Sequence, residues 1–272
     1  MFLPLKTLIL PLFSVALALT GCDSGPDSLA ANSAGHTAPT ASTGEANRQM
    51  LDQRPFDNRD DFENARRGLI AQDPELVIDH LEGGEVWNMP AYDFIDEDGE
   101  DAPASVNPSL WRQAALNNIH GLFKVTDGLY QIRGYDLANM SIIEGDTGWI
   151  LVDPLTASET ASKAFLFARE HLGEKPVRAI LFTHSHIDHF GGVQGILKHL
   201  SDDEKANLRI IAPAGFEEEA TSENIIAGTA MTRRAMFMYG KRLERDERGH
   251  VGTGLGKGPA FGTFGFAPAT DL

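Results

Sequence analysis

Residues 177–193 constrain the fold more tightly than any other stretch. Val177 to Phe182 (VRAILF) is a short apolar run that follows the breaker Pro176, and it reads as a buried parallel strand. Thr183 then opens a loop in which His184, His186, Asp188 and His189 put four metal-ligand side chains within six residues. Gly191 and Gly192 let the backbone turn tightly, and an apolar helical pattern resumes from Val193 to Leu200. Strand, loop, glycine pair and helix predict an α/β protein. Open α/β sheets hold their ligands beyond the carboxyl ends of the strands, which is where this loop stands.

Imidazole nitrogens and carboxylate oxygens are the donors a zinc-like ion prefers. His184 and His186 are two apart in extended backbone, so their rings project to one side and can share one ion. Asp188 and His189 start the next turn and can serve a second ion, with Asp188 also the candidate catalytic carboxylate. Two ions would share a bridging hydroxide; a single ion is the alternative. Asp153 ends a strand before Pro154. It is either a turn former or the acid that orients a histidine ligand by accepting its second ring proton. Asp136 and Asn139 lie between strands and are candidate substrate contacts, although no substrate-binding residue is assigned. His250 sits in a glycine-rich, charged segment and reads as a solvated loop histidine rather than a further ligand. Glu217, Glu218, Glu219 and Glu223 read as the solvated face of a helix, and Met231, Met236 and Met238 read as core packing.

The flanking patterns extend the α/β reading. Leu129 to Arg133 and Met140 to Glu144 read as strands, and Gly145 to Gly148 (GDTG) turns into a strand over Trp149 to Val152. Thr156 and Glu159 have capping-box spacing. The helix they start carries Ala161, Ala164, Phe165, Ala168 and Leu172 on one stripe and ends at Gly173. Earlier, Asp60 or Asp61 is expected to cap a helix whose Phe62, Ala65, Leu69 and Ile70 share a face. Asp93 to Asp101 reads as an exposed acidic loop.

At the start, Lys6 and the apolar run Leu8 to Leu19 read as a signal segment too short to span a bilayer permanently. Leu19-Thr20-Gly21-Cys22 matches a bacterial lipoprotein cleavage site, so Cys22, the single cysteine, is expected to be lipidated and the protein exported to the periplasm. The stretch from Asp23 to about Met50 is rich in Ser, Ala, Gly, Thr and Pro and reads as a flexible tether.

THSHIDHFGG resembles the metal-binding signature of the metallo-β-lactamase superfamily. Further stretches, DFENARRGLIA (61–71), NPSLWRQAALNNIHGLFKV (107–125), YQIRGYDLANMSIIEGDTGWILVDPL (130–155) and SENIIAGTAMTRRAMFMYG (222–240), resemble its alkyl sulfatase branch. The resemblance runs from about Phe56 to the last residue. It implies zinc-dependent hydrolysis of an alkyl sulfate ester to an alcohol and sulfate, using two zinc ions and metal-activated water. Other hydrolytic chemistry on the same scaffold, on a lactone or thioester, is the alternative, as is a truncated metal-binding polypeptide without turnover. It further implies an αββα sandwich present as its N-terminal half, more ligands downstream of residue 272, and a homodimer. The expected organisation is a signal segment over 1–21, a tether over 22–56, a family-specific helical preface over 57–118 and the metallo-β-lactamase domain over 119–272.

Charge bears on partners. Lys and Arg total 23 against 39 Asp and Glu, a net charge of -16, which disfavours nucleic acid and gives an anionic detergent no broad attraction. Local positive charge must supply it, from the ions and from one of the adjacent Arg233 and Arg234. Contact with a membrane is expected through the lipid anchor only.

Overall fold

The computed structural model describes residues 31, 32, 35–95 and 102–271. Nine strands, β1 (Leu69–Ala71), β2 (Val77–Asp79), β3 (Glu85–Asn88), β4 (Gly121–Thr126), β5 (Leu129–Arg133), β6 (Met140–Gly145), β7 (Gly148–Val152), β8 (Val177–Leu181) and β9 (Arg209–Ile211), form two sheets among these residues. The helices are α1 (Ala41–Gln53), α2 (Asp60–Arg66), α3 (Pro108–Leu116), α4 (Ser158–Leu172), α5 (Val193–Leu197), α6 (Asp202–Asn207), α7 (Phe216–Thr221) and α8 (Gly228–Met238). The large sheet runs β1-β4-β5-β6-β7-β8-β9, antiparallel up to β7 and parallel through β8 and β9. Antiparallel neighbours follow from short turns such as GDTG, whereas β7 reaches its parallel partner β8 through α4, the crossover such a pair requires. Of the two large sheets of a four-layer sandwich, one is among the described residues. The other sheet is the two-stranded β2–β3.

The stripe of α4 accounts for the core. Ala161, Ala164, Phe165 and Ala168 are fully buried, and they face a set that includes Ile142 of β6, Leu151 of β7 and Ile180 of β8. Alanines bring the helix axis close to the sheet, while Phe165 meets Trp149 edge to face with centroids 6.4 Å apart. Burying a side chain of that size stabilises by about 1.5–3 kcal/mol.

Four expectations change. The helix that starts at Asp60 stops at Arg66, because Gly68 takes φ +78° and turns the chain so that Leu69 and Ile70 join β1 against β4. Thr156 and Glu159 form no capping box: the Thr156 hydroxyl donates to Asp136 and the Glu159 carboxylate accepts from Thr263, leaving Ala157 as an uncapped N-cap. Within the stretch read as a tether, Ala41–Gln53 is a helix, capped by the Thr40 hydroxyl and tied through the Asn47 amide to the Ala104 carbonyl. Met231 and Met238 are exposed on α8, which buries no residue, so the methionines there are not core. The signal segment, Cys22 and most of the acidic loop lie outside the described residues.

Candidate metal centre

The cluster sits at the carboxyl ends of β7 and β8, held by two loops. After β8, the chain bends over residues 184–186, with His186 itself extended (φ -69°, ψ 139°), before a 3-10 turn at Ile187–His189. After β7, Asp153 (φ 56°) and Leu155 (φ 65°) both adopt left-handed backbone around Pro154, conformations that are strained for non-glycine residues and concentrate at functional sites. The bend folds the Asp153 carboxylate back onto the other loop. Its Oδ1 accepts the Thr183 backbone N–H at 2.8 Å, and its Oδ2 accepts the Thr183 hydroxyl at 2.7 Å and pairs with His189 Nδ1 at 2.8 Å.

These bonds decide which ring nitrogens are already engaged. Asp153 holds a proton on His189 Nδ1, so Nε2 carries the free lone pair whenever the ring is neutral. The Thr183 hydroxyl spends its own proton on Asp153 and therefore accepts from His184 Nδ1 at 3.0 Å, which frees His184 Nε2 in the same way. The rings are in contact, with the His184 centroid 4.0 Å from that of His189 and 4.7 Å from that of His186.

Among the described residues no three histidine, cysteine, aspartate or glutamate side chains converge on a common ion position. The cluster pairs with itself instead: Asp188 Oδ2 lies 3.3 Å from His189 Nε2, and Glu223 Oε1 lies 3.7 Å from His186 Nε2. Burial opposes charge on His189, but the hydrogen bonds and charges of Asp153 and Asp188 outweigh it and lift the imidazole to about 9. Burial likewise works against ionised Asp188, yet His189 keeps its carboxyl below the usual range. His184 is held below its ordinary value by burial and by the neighbouring His189 and His186. An anionic carboxylate facing an imidazolium is the arrangement a cation replaces: the metal takes the place of the proton on Nε2. The donor chemistry fits a zinc-class ion, which Asp188 and His189 would hold in place of their pairing with each other.

Close backbone packing fixes the loops relative to one another. The Gly192 N–H donates to the Leu155 carbonyl at 2.8 Å, and a Cβ on Gly192 would stand 2.2 Å from the Pro154 carbonyl oxygen. Gly192→Ala is expected to push the 153–157 loop outward, lowering stability by about 2–4 kcal/mol in a urea titration.

Other candidates lie elsewhere. Asp136 is fully buried and saturated: it accepts the backbone N–H of Leu137, Thr156 and Ala260 and the hydroxyls of Thr156 and Thr160, at 2.7–3.0 Å. It ties three segments together and has nothing left for a substrate. Asn139 lines a neighbouring cavity. His250 is buried rather than solvated, with Nδ1 2.9 Å from the Tyr92 hydroxyl. Arg233 and Arg234 are exposed on α8. Glu223, grouped in the sequence with solvated acids, is turned toward His186 by a π-helical turn, Ser222–Ile226. A single turn of that kind often marks a functional site, but no local sequence signal announces it.

Residues 133–266 match the family model of the metallo-β-lactamase superfamily. The structure superposes on that of a stereoselective inverting sec-alkylsulfatase, Pisa1, from a Pseudomonas species, with TM-score 0.80 and 44% identity over 89% of this chain and 38% of that one. The chain belongs to the metallo-β-lactamase superfamily. Several of its relatives are alkylsulfatases. A linear primary-alkylsulfatase from a Pseudomonas species is 47% identical over 233 residues, 86% of this chain and 34% of the relative. An (R)-specific secondary-alkylsulfatase from a Pseudomonas species is 47% identical over 229 residues, 84% of this chain and 34% of the relative. The chain thus spans about a third of the length of the curated relatives it matches.

Proposed function

We propose that this chain carries the metal-binding part of a zinc-dependent hydrolase that splits alkyl sulfate esters into an alcohol and inorganic sulfate. The observation that carries the reading is the pairing of 47% identity to alkylsulfatases with a cluster in which Asp153 and Thr183 leave the Nε2 atoms of His189 and His184 free to bind a metal. In this reading His184 and His186 hold one zinc ion and Asp188 and His189 a second. Bound zinc supplies Lewis acidity, acidified water and positive charge for a sulfate oxyanion. The chain's own residues do the rest. Asp153 holds His189 in one tautomer and orientation, Thr183 does so for His184, and Asp188, whose carboxyl His189 keeps below the usual range, would offer the second ion an ionised carboxylate. Positive charge at the cluster matters because the chain as a whole, at a net charge of -16, repels an anionic ester.

The decisive assay compares sodium dodecyl sulfate with a lactone and a thioester, each with and without added zinc. The proposal expects zinc-dependent sulfate release and little turnover of the other two; preferential lactone or thioester cleavage overturns it. The proposal extends to a lipid anchor on Cys22 and export to the periplasm. An intact mass equal to the uncleaved, unmodified chain in membrane extracts counts against that part.

A further inference from the structure

Two histidines of the cluster have one ring nitrogen engaged from outside: Asp153 pairs with His189 Nδ1 at 2.8 Å, and the Thr183 hydroxyl with His184 Nδ1 at 3.0 Å. A ligand histidine almost always gives its second ring proton to a carboxylate, carbonyl or water, which fixes the ring and raises its basicity. His186, the exposed member of the three, needs the same restraint. The acid facing its ring at ion-pair distance is Glu223, with Oε1 3.7 Å from Nε2.

The fold builds the position of Glu223 from two sides. Phe216, the first residue of α7, is buried and sets its ring 5.3 Å from the rings of both Phe182 and Phe190, which stand just before and just after the metal loop. The base of α7 is thereby fixed to that loop. Glu217, Glu218 and Glu219 are exposed, whereas Glu223 is half-buried in the π-helical turn Ser222–Ile226, closed by the Ala227 N–H on the Ser222 carbonyl at 2.9 Å. Apolar packing does not account for the turn. Ile225 and Ile226 are 75% and 80% exposed, and α8 beyond it buries no residue. Single π-turns are rare and occur frequently at functional sites, and here the side chain set against the cluster is a carboxylate.

The nitrogens engaged are opposite ones. His184 and His189 are held at Nδ1 and keep Nε2 for an ion, whereas an acid at Nε2 of His186 leaves Nδ1 for it. We propose that Glu223 is the positioning residue of His186: once an ion is bound, its carboxylate accepts the Nε2–H from outside the centre and holds the ring with Nδ1 toward the ion shared with His184. An exposed ring held in this way has less freedom to lose when it binds. The inference rests on the reading of His184, His186, Asp188 and His189 as a metal centre and is independent of which ester is cleaved.

Zinc affinity, measured by competition with a chromophoric chelator, tests it. Glu223→Ala is expected to weaken binding by about 10–100-fold, the range typical when a carboxylate supporting a histidine ligand is lost. Glu223→Gln keeps an acceptor oxygen and is expected to recover most of that loss, and Glu219→Gln, which removes the same charge from an exposed neighbour, to bind as the parent does. Long-range proton–nitrogen correlation spectra of the zinc-loaded proteins give a second readout. The His186 proton is expected on Nε2 in the parent and in Glu223→Gln and lost to exchange with water in Glu223→Ala, while the Nδ1 protons of His184 and His189 persist. Should Glu223→Ala fail to fold by circular dichroism, the spectra of the parent and Glu223→Gln decide alone. Unchanged affinity in Glu223→Ala, a loss in Glu223→Gln as large as in Glu223→Ala, or a His186 proton found on Nδ1 overturns the proposal and leaves the metal centre standing. A folded parent that binds no zinc overturns both.

Discussion

Asp136→Ala is expected to be among the most destabilising single substitutions in this chain, lowering the free energy of unfolding by about 3–5 kcal/mol. The carboxylate accepts five hydrogen bonds from the β5–β6 connection, the start of α4 and the segment at Ala260, each at 2.7–3.0 Å. Alanine leaves four donors without a partner in a buried place, since the Thr160 hydroxyl alone keeps a second acceptor, the Ala157 carbonyl at 2.9 Å, and each orphaned donor costs about 1–3 kcal/mol before relaxation. Asp136→Asn keeps one acceptor oxygen and substitutes a donor for the other, so it is expected to fall between alanine and the parent. Chemical denaturation of the three proteins checks the order. Equal midpoints would show that the five bonds do not act as a unit.

Asp153→Ala is expected to weaken zinc binding by about 10–100-fold, the range typical when a carboxylate supporting a histidine ligand is removed. Three donors lose their acceptor at once: the Thr183 backbone, the Thr183 hydroxyl and His189 Nδ1. The pH dependence separates loss of orientation from general unfolding. In the parent, His189 stays protonated up to about 9, so zinc displaces a proton and apparent affinity rises with pH through the neutral range. Without Asp153 one of the groups that raises His189 is gone, its proton leaves at lower pH, and the rise shifts with it. Zinc competition titrations with a chromophoric chelator from about pH 6 to pH 9 resolve both effects. A profile displaced in affinity but unmoved in pH contradicts the role given to Asp153.

Much of this arrangement is legible in the sequence where neighbours in the chain decide it. The run at Val177–Phe182, the GDTG turn and the alanine and phenylalanine stripe of α4 announce themselves because strand and helix periods differ and each element buries one face. The cluster itself is legible for the same reason: four donors in six residues need no tertiary contact to bring them together. What escaped was settled at long range. Thr156 looks like a helix cap, but Asp136, twenty positions away, takes its hydroxyl. Leu69 and Ile70 continue a helical spacing that Gly68 interrupts. His250 is polar in sequence surroundings yet is buried beside Tyr92, and Glu223 belongs to an acidic run yet faces His186. Burial and pairing of this kind depend on which distant segments meet. No local pattern encodes that.

His184, His186, Asp188 and His189 together are expected to capture a divalent transition metal. The most direct measurement is the metal content of purified, folded chain by inductively coupled plasma mass spectrometry after equilibration with zinc and gel filtration. The account predicts zinc retained in stoichiometric amount by the parent and absent from the His184→Ala, His186→Ala protein. A folded parent that elutes without metal contradicts it.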